Sequence, residues 1–205
     1  MPEVEVIDDP IAAAVAIDPA RARLLAELAQ PASAAALAER LGLPRQKVNY
    51  HLRTLEQHGL VREAETKRWG GITERRMVAT ADSYLVSPAA LGPAAADPAR
   101  TTDRLSAGYL LALAARAVRE VGALLRKATT TNQRLATLSI DTDIRFANAE
   151  QRGAFSQELA TAVADLAARY HDPSAAGGRW HRLVVVAHPT AGGPPSPPSP
   201  ASVKP

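Results

Sequence analysis

The 205-residue chain contains no cysteine. That excludes disulfides, zinc–thiolate sites and thiol nucleophiles together, and it fits a cytoplasmic protein. Aromatic residues are scarce, 4% against 46% for hydrophobic residues as a whole. The core must therefore be built from Ala, Leu and Val, a composition that suits helices. No apolar run approaches the roughly 18 residues needed to span a bilayer. The start, MPEVEVIDDP, is acidic and has no basic stretch leading an apolar one, so neither a membrane segment nor a secretory leader is expected. There is no Gly-rich phosphate loop, nucleophile elbow or paired-carboxylate constellation, so neither an enzyme nor a bound cofactor is expected. Charge of one sign is not in large excess: the formal net charge is +3. Any inference about nucleic acid must rest on where the charge lies.

What is present is helix punctuation. Asp9-Pro10 and Asp18-Pro19 each set a capping carboxylate before a proline at the first helical position, predicting helices over residues 10–17 and 19–30. Leu24, Leu25 and Leu28 share a face of the second, and Pro31 ends it. Ser33 caps a third helix over residues 34–41, Gly42 breaks it, and a fourth spans residues 45–57 before His58-Gly59. Strands are expected over residues 60–65 and 75–80, with the turn at Gly70-Gly71.

Within residues 33–52 the pattern is that of a helix-turn-helix. Ala38 is the small residue that lets two helices cross closely, and Gly42 makes the turn. Leu37, Leu41, Leu43, Val48 and Leu52 face inward. The outward face of the second helix then carries Arg45, Gln46, Lys47, Asn49, Tyr50 and Arg53. Arg bonds guanine O6 and N7 together, and Gln and Asn do the same for adenine N6 and N7. Arg45, Gln46, Asn49 and Tyr50 are expected nearest the bases, Lys47 and Arg53 nearer the phosphates. The hairpin supplies Lys67 and Arg68 at its tip and Arg75 and Arg76 on its return, as a basic wing reaching the minor groove or backbone. Residues 40–76 hold nine Lys/Arg against four Asp/Glu, while residues 135–189 hold five against six. The positive charge is concentrated in the helix-turn-helix and wing. A solvated helix face and a Lys/Arg-guarded hairpin edge would each explain one part of this pattern, but not the turn geometry and the wing together.

Residues 87–102, rich in Pro and Ala, read as a linker. A long amphipathic helix is expected over residues 103–127, with Leu105, Tyr109, Leu113, Ala117, Val121 and Leu124 in one stripe and Arg116, Arg119, Glu120 and Arg126 opposite. Such a helix beside a small domain is expected to dimerise the chain. A βαβ-like unit is expected next: a strand over residues 134–146, a helix over 150–170, and a buried strand around Leu183-Val184-Val185-Val186. The Pro/Ser/Gly-rich residues 191–205 should be disordered. The expected fold is mainly α with small β. Residues 1–86 form a winged helix-turn-helix domain. Residues 103–190 form a dimerisation helix and a small C-terminal α+β unit, which extends the dimer interface, takes an apolar small-molecule effector, or both.

The residues LAERLGLPRQKVNYHLRTLEQHGLV (37–61), followed by TER (73–75), resemble the ArsR-type winged-helix repressors. The likeness extends more weakly to DIRFANAEQRGAFSQELATAVADL (143–166), and is to the larger actinobacterial members with a C-terminal extension. The resemblance implies a homodimeric repressor that binds inverted repeats in double-stranded DNA and releases them when an effector binds. Many such proteins sense metals through Cys pairs or through His/Asp/Glu clusters on the dimer helix. Here Cys is absent and residues 103–127 offer only Asp103 and Glu120, so no metal site is expected. His51 is expected to pack inward, and His58 to sit at a helix end. His171, His181 and His188, near Asp172 and Asp141, lack a repeated ligand spacing, and His171-Asp172, following the helix end at Tyr170, reads as a turn. Two other readings compete: a metabolite-binding protein or enzyme working through residues 135–189 with the winged helix as a protein-interaction module, and a general nucleoid-type binder. The basic wing argues against the first, and the Gln, Asn and Tyr of the helix face argue against the second.

Overall fold

The computed structural model describes residues 2–69, 72–131 and 133–190; for residues 67–69 and 72–73 it describes the backbone alone. The Gly70-Gly71 turn and the 191–205 tail lie outside the described residues. The fold is mainly α with a small β component. It divides into two units, Met1–Ala136 and Thr137–Pro205.

The first unit begins with a strand that the sequence does not advertise, β1 (Val4–Ile7). The capped helices follow as their punctuation predicts: α1 (Pro10–Ala16) and α2 (Pro19–Glu27). The Asp9 carboxylate accepts from the Ala12 N–H at 2.9 Å, and Asp18 Oδ1 accepts from the Ala20 and Arg21 N–H groups, each at 3.1 Å. Helix α2 stops short of the expected residue 30. The carbonyl of Leu28 accepts from the Ala79 N–H at 2.9 Å instead of continuing the helix. After β2 (Ala32–Ser33) come α3 (Ala34–Leu41) and α4 (Arg45–Gln57). Both close in the same way. Gly42 (φ 64°) and Gly59 (φ 70°) take the left-handed conformation. The next N–H returns into the helix, Leu43 to the Ala38 carbonyl and Leu60 to the Leu55 carbonyl, each at 3.0 Å.

The wing is longer than the sequence suggests. β3 (Val61–Trp69) and β4 (Ile72–Ala79) pair antiparallel, and β2 pairs on the other side of β4. A bulge at Ala64 shifts the register from Glu63↔Met77 to Glu65↔Arg76. The core beneath these elements is made of Leu24, Leu28, Leu37, Val48, Leu55, Val61 and their neighbours, all buried.

The stretch expected to be a linker is packed structure. β5 (Ser83–Val86) pairs in parallel with β1, Val4 opposite Ser83 and Ile7 opposite Val86. Two 3-10 turns follow, Pro88–Ala94 and Pro98–Arg100. Pro88 and Pro98 stand at the first positions of the turns, where no N–H is needed. Ser87 and Asp97 cap them by accepting from Ala89 N–H at 3.2 Å and Ala99 N–H at 2.9 Å. Arg100 ties the two turns together by donating to the carbonyls of Pro93 and Ala95.

The long helix, α5 (Ala107–Thr131), starts later and ends later than expected. Ser106 caps it, its hydroxyl accepting from the Tyr109 N–H at 3.1 Å. Leu105 therefore lies ahead of the helix and is 98% exposed. The face that packs on β1 and the 3-10 turns is the small-residue one: Ala112, Ala115 and Gly122 are buried. Arg126, expected to face solvent, donates to the Val6 carbonyl at 2.9 Å and pairs with Asp8.

In the second unit, α6 (Ala149–Tyr170) forms as expected, capped by Asn148, which accepts from the Gln151 N–H at 2.8 Å. The strands expected over residues 134–146 and 182–189 do not form among the described residues. A β-branched run is a strand only where another strand satisfies its backbone. Ile140 is instead 83% exposed, and Val185 and Val186 are exposed too. Among the described residues the C-terminal unit is thus a helix with non-regular flanks rather than α+β. Phe146 packs on Phe155, with ring centroids 5.2 Å apart.

Gly122 makes a testable position. A Cβ placed there would lie 2.7 Å from the Cβ of Val6, a stiff β-branched side chain. Gly122→Leu should destabilise the protein by about 1–3 kcal/mol despite its better helix propensity, read as a lower urea midpoint.

Candidate nucleic-acid interface

Helix α4 is two-faced. Val48, His51, Leu52 and Leu55 are buried, at the spacing of three and four that keeps one stripe on the core. Arg45, Gln46, Lys47, Asn49, Tyr50 and Arg53 are all exposed. The six residues expected to read DNA are thus brought together on one solvent-facing surface. Pro44 precedes the helix without a side-chain cap, so the first-turn N–H groups stay open beside Arg45. The Asn49 amide donates to the Arg45 carbonyl at 3.1 Å, and the Thr54 hydroxyl donates to the Tyr50 carbonyl at 3.1 Å.

The side chains of Lys67 and Arg68 lie outside the described residues. Arg75, expected to reach the minor groove or backbone of DNA, is bonded to two carboxylates in the free protein. Its Nε donates to Glu63 at 2.6 Å, and a terminal nitrogen donates to Glu56 at 2.7 Å. Bonds to Glu63 and Glu56 hold its pKa above the ordinary arginine value. The Thr66 hydroxyl, then Arg75, holds the Glu63 carboxyl below its ordinary value. Arg76 bonds Glu65 and the Pro31 carbonyl.

His51 packs inward, as expected. It is 7% exposed, and neither ring nitrogen has a hydrogen-bond partner. The exposed Tyr50 ring stands edge-on to it, with centroids 5.4 Å apart. Burial pushes the imidazole pKa down; Asp18 opposes this, and Arg21 and Lys47 add to it. Hydrogen bonding from the Arg21 N–H lowers the Asp18 carboxyl, so Asp18 stays charged.

Tyr84 is a residue that sequence reasoning misses, because it lies in a four-residue strand with no alternation to mark it. Its hydroxyl donates to the Leu60 carbonyl at 2.6 Å and accepts from the Thr80 N–H at 3.0 Å. It thus fixes the chain leaving the wing to the chain entering it. In the second unit, His171 lies against Trp180 (centroids 5.5 Å apart) and Asp172 turns the chain onto Ser174. Among the described residues no group of three or more His, Cys, Asp or Glu is placed to hold a metal ion.

A family model described as a helix-turn-helix domain matches residues 17–64. That span runs from the residue before the α2 cap through α3 and α4 into β3. The chain therefore carries a helix-turn-helix DNA-binding domain. No curated protein matches the chain. Among the described residues no helix is long and apolar enough to cross a membrane.

The depressed His51 pKa sets a pH dependence. An unfolded histidine titrates near its ordinary 6.5, and the folded one below that. The unfolded state then binds more protons between the two values, so stability falls with falling pH. His51 should give its full contribution above pH 6.5, lose it as the pH drops, and level off below the folded pKa. Denaturant midpoints between pH 7 and 5 should flatten in His51→Leu.

Proposed function

We propose that this protein is a transcription regulator that reads a specific sequence in double-stranded DNA as a homodimer. The observation that carries the reading is α4 itself, which docks through Val48, His51, Leu52 and Leu55 and offers Arg45, Gln46, Lys47, Asn49, Tyr50 and Arg53 to solvent. The face combines base-reading amides and guanidinium groups with phosphate-binding cations, as a helix in the major groove requires. The basic hairpin beside it supplies backbone contacts, with Lys67 and Arg68 at its tip.

The dimer is supported by α5. With Ala112, Ala115 and Gly122 turned inward, the helix leaves Ala107, Leu111, Ala114 and Val121 exposed and Val118 and Leu125 half-buried, spaced alternately by four and three residues. Leu111 is 64% and Val121 41% exposed. An apolar seam at heptad spacing is what two helices bury against each other. A two-fold partner would set two copies of α4 on successive major grooves, about 34 Å apart. Together with the resemblance to ArsR-type repressors, this favours repression from an inverted repeat, in the cytoplasm, with an apolar molecule rather than a metal as effector. The protein acts by binding and not by catalysis.

Selection from a pool of random duplexes tests the reading: the protein should enrich an inverted repeat, and equal affinity for all duplexes would overturn it. On the enriched site, Arg45→Ala should cost about 1–3 kcal/mol and relax preference at one base pair, while Lys67→Ala should weaken all duplexes alike and lower the salt slope by about 1. For the seam, Leu111→Glu with Val121→Glu should yield monomers in sedimentation and abolish cooperative binding to the two half-sites.

A further inference from the structure

Arg75 and Arg76 follow one another on β4 and so project to opposite faces of the hairpin. Each is engaged with the body of the domain. Arg76 bonds Glu65 on β3 and the Pro31 carbonyl ahead of α3. Arg75 joins the other side, with Glu63 on β3 and Glu56 in the last turn of α4. The second oxygen of Glu63 accepts from the Thr66 hydroxyl, which aims that carboxylate at Arg75. The bulge at Ala64 falls within this cluster. A bulge bends its strand and interrupts the ladder, so the backbone alone does not fix the direction in which the hairpin leaves the body.

We propose that Arg75 is a positioning residue rather than a DNA contact: with Glu56 and Glu63 it clamps the wing to the C-terminal end of the recognition helix. The clamp fixes the offset between major-groove reader and wing. This rests on the DNA-reading role of α4 proposed above. The charge balance argues the same way. Two carboxylates share one guanidinium, so the cluster carries a net negative charge and would repel a phosphate brought against it. A positively charged arginine in a basic wing reads from the sequence as a phosphate contact; its two carboxylate partners, 12 and 19 positions away, do not show there.

The two roles predict opposite responses to the loss of Glu56. In the full-length protein, on a duplex selected by the wild type, Glu56→Gln and Arg75→Ala should each weaken binding about three- to fivefold, the size of an exposed ion-pair network. The double variant should be no weaker than the worse single one, because both remove the same coupling. The salt slope should stay unchanged, and hydroxyl-radical footprints should lose wing protection while keeping that of the recognition helix. If Glu56→Gln binds as well as or better than wild type, while Arg75→Ala lowers the salt slope by about 1, Arg75 is a phosphate contact and the clamp is wrong. Limited proteolysis without DNA separates the two proposals. Faster cleavage of the hairpin in Glu56→Gln, whose half-buried side chain lies outside the core, supports the clamp even if no duplex is preferred. Unchanged cleavage overturns it even if DNA binds well.

Discussion

The packing of Val48, Leu52 and Leu55 against the core is the contact on which the rest of the molecule depends. A helix that must present a polar face at a fixed angle needs its other face held by something non-directional and dry. Three aliphatic side chains from α4, set among Leu24, Leu28 and Leu37, meet that need. Burial of each is worth about 1.5–3 kcal/mol relative to exposure. The hydrogen bonds around the site act differently, orienting what the apolar contact has already secured. His51 is the one polar group admitted to that stripe, and burial there pushes its pKa down.

Around this contact the domain is closed by a few polar ties. The Tyr84 hydroxyl joins the start of β3 to the turn after β4. Arg76 joins β4 to the loop ahead of α3, and Arg75 joins it to the end of α4. Arg75 and Arg76 lie mid-strand beside the bulge, while their partners Glu56 and Pro31 lie where a helix ends and a strand begins. The wing is therefore fixed at its root by side chains and along its length by the ladder.

Helices α1 to α4 are legible in the sequence because their ends are chemically marked. Asp9-Pro10, Asp18-Pro19, Ser33, Gly42 and Gly59 each fill a position that few other residues suit, and the structure uses every one. The exposed face of α4 is legible for the same reason, since fixed ends fix the phase of the helix. What the sequence hides depends on distant partners. β1 and β5 are four residues each and exist only because they find one another. The prolines of residues 87–102 suggest a loose linker, but the turns they open are packed. Residues 134–146 and 182–189 carry strand composition without a strand to pair with. In α5 the small residues, not the large ones, face the body, because only Ala and Gly let the helix come this close to β1. The charge of Arg75 alone suggests a phosphate contact; Glu56 and Glu63, distant in the chain and adjacent in the fold, give it other partners.

The parallel pairing of β1 with β5 has a consequence for the order of assembly. It joins chain positions 80 apart, Glu3 accepting from Ser83, and bringing such distant segments together carries an entropic cost that intervening structure reduces. Between them, the α3–α4 pair and the β3–β4 hairpin are built from local contacts, so they are expected to form first and to help bring the two strands into register. β1 is also the surface on which Gly122 and Arg126 of α5 rest. The long helix thus gains its seat only after the helix-turn-helix module has taken shape.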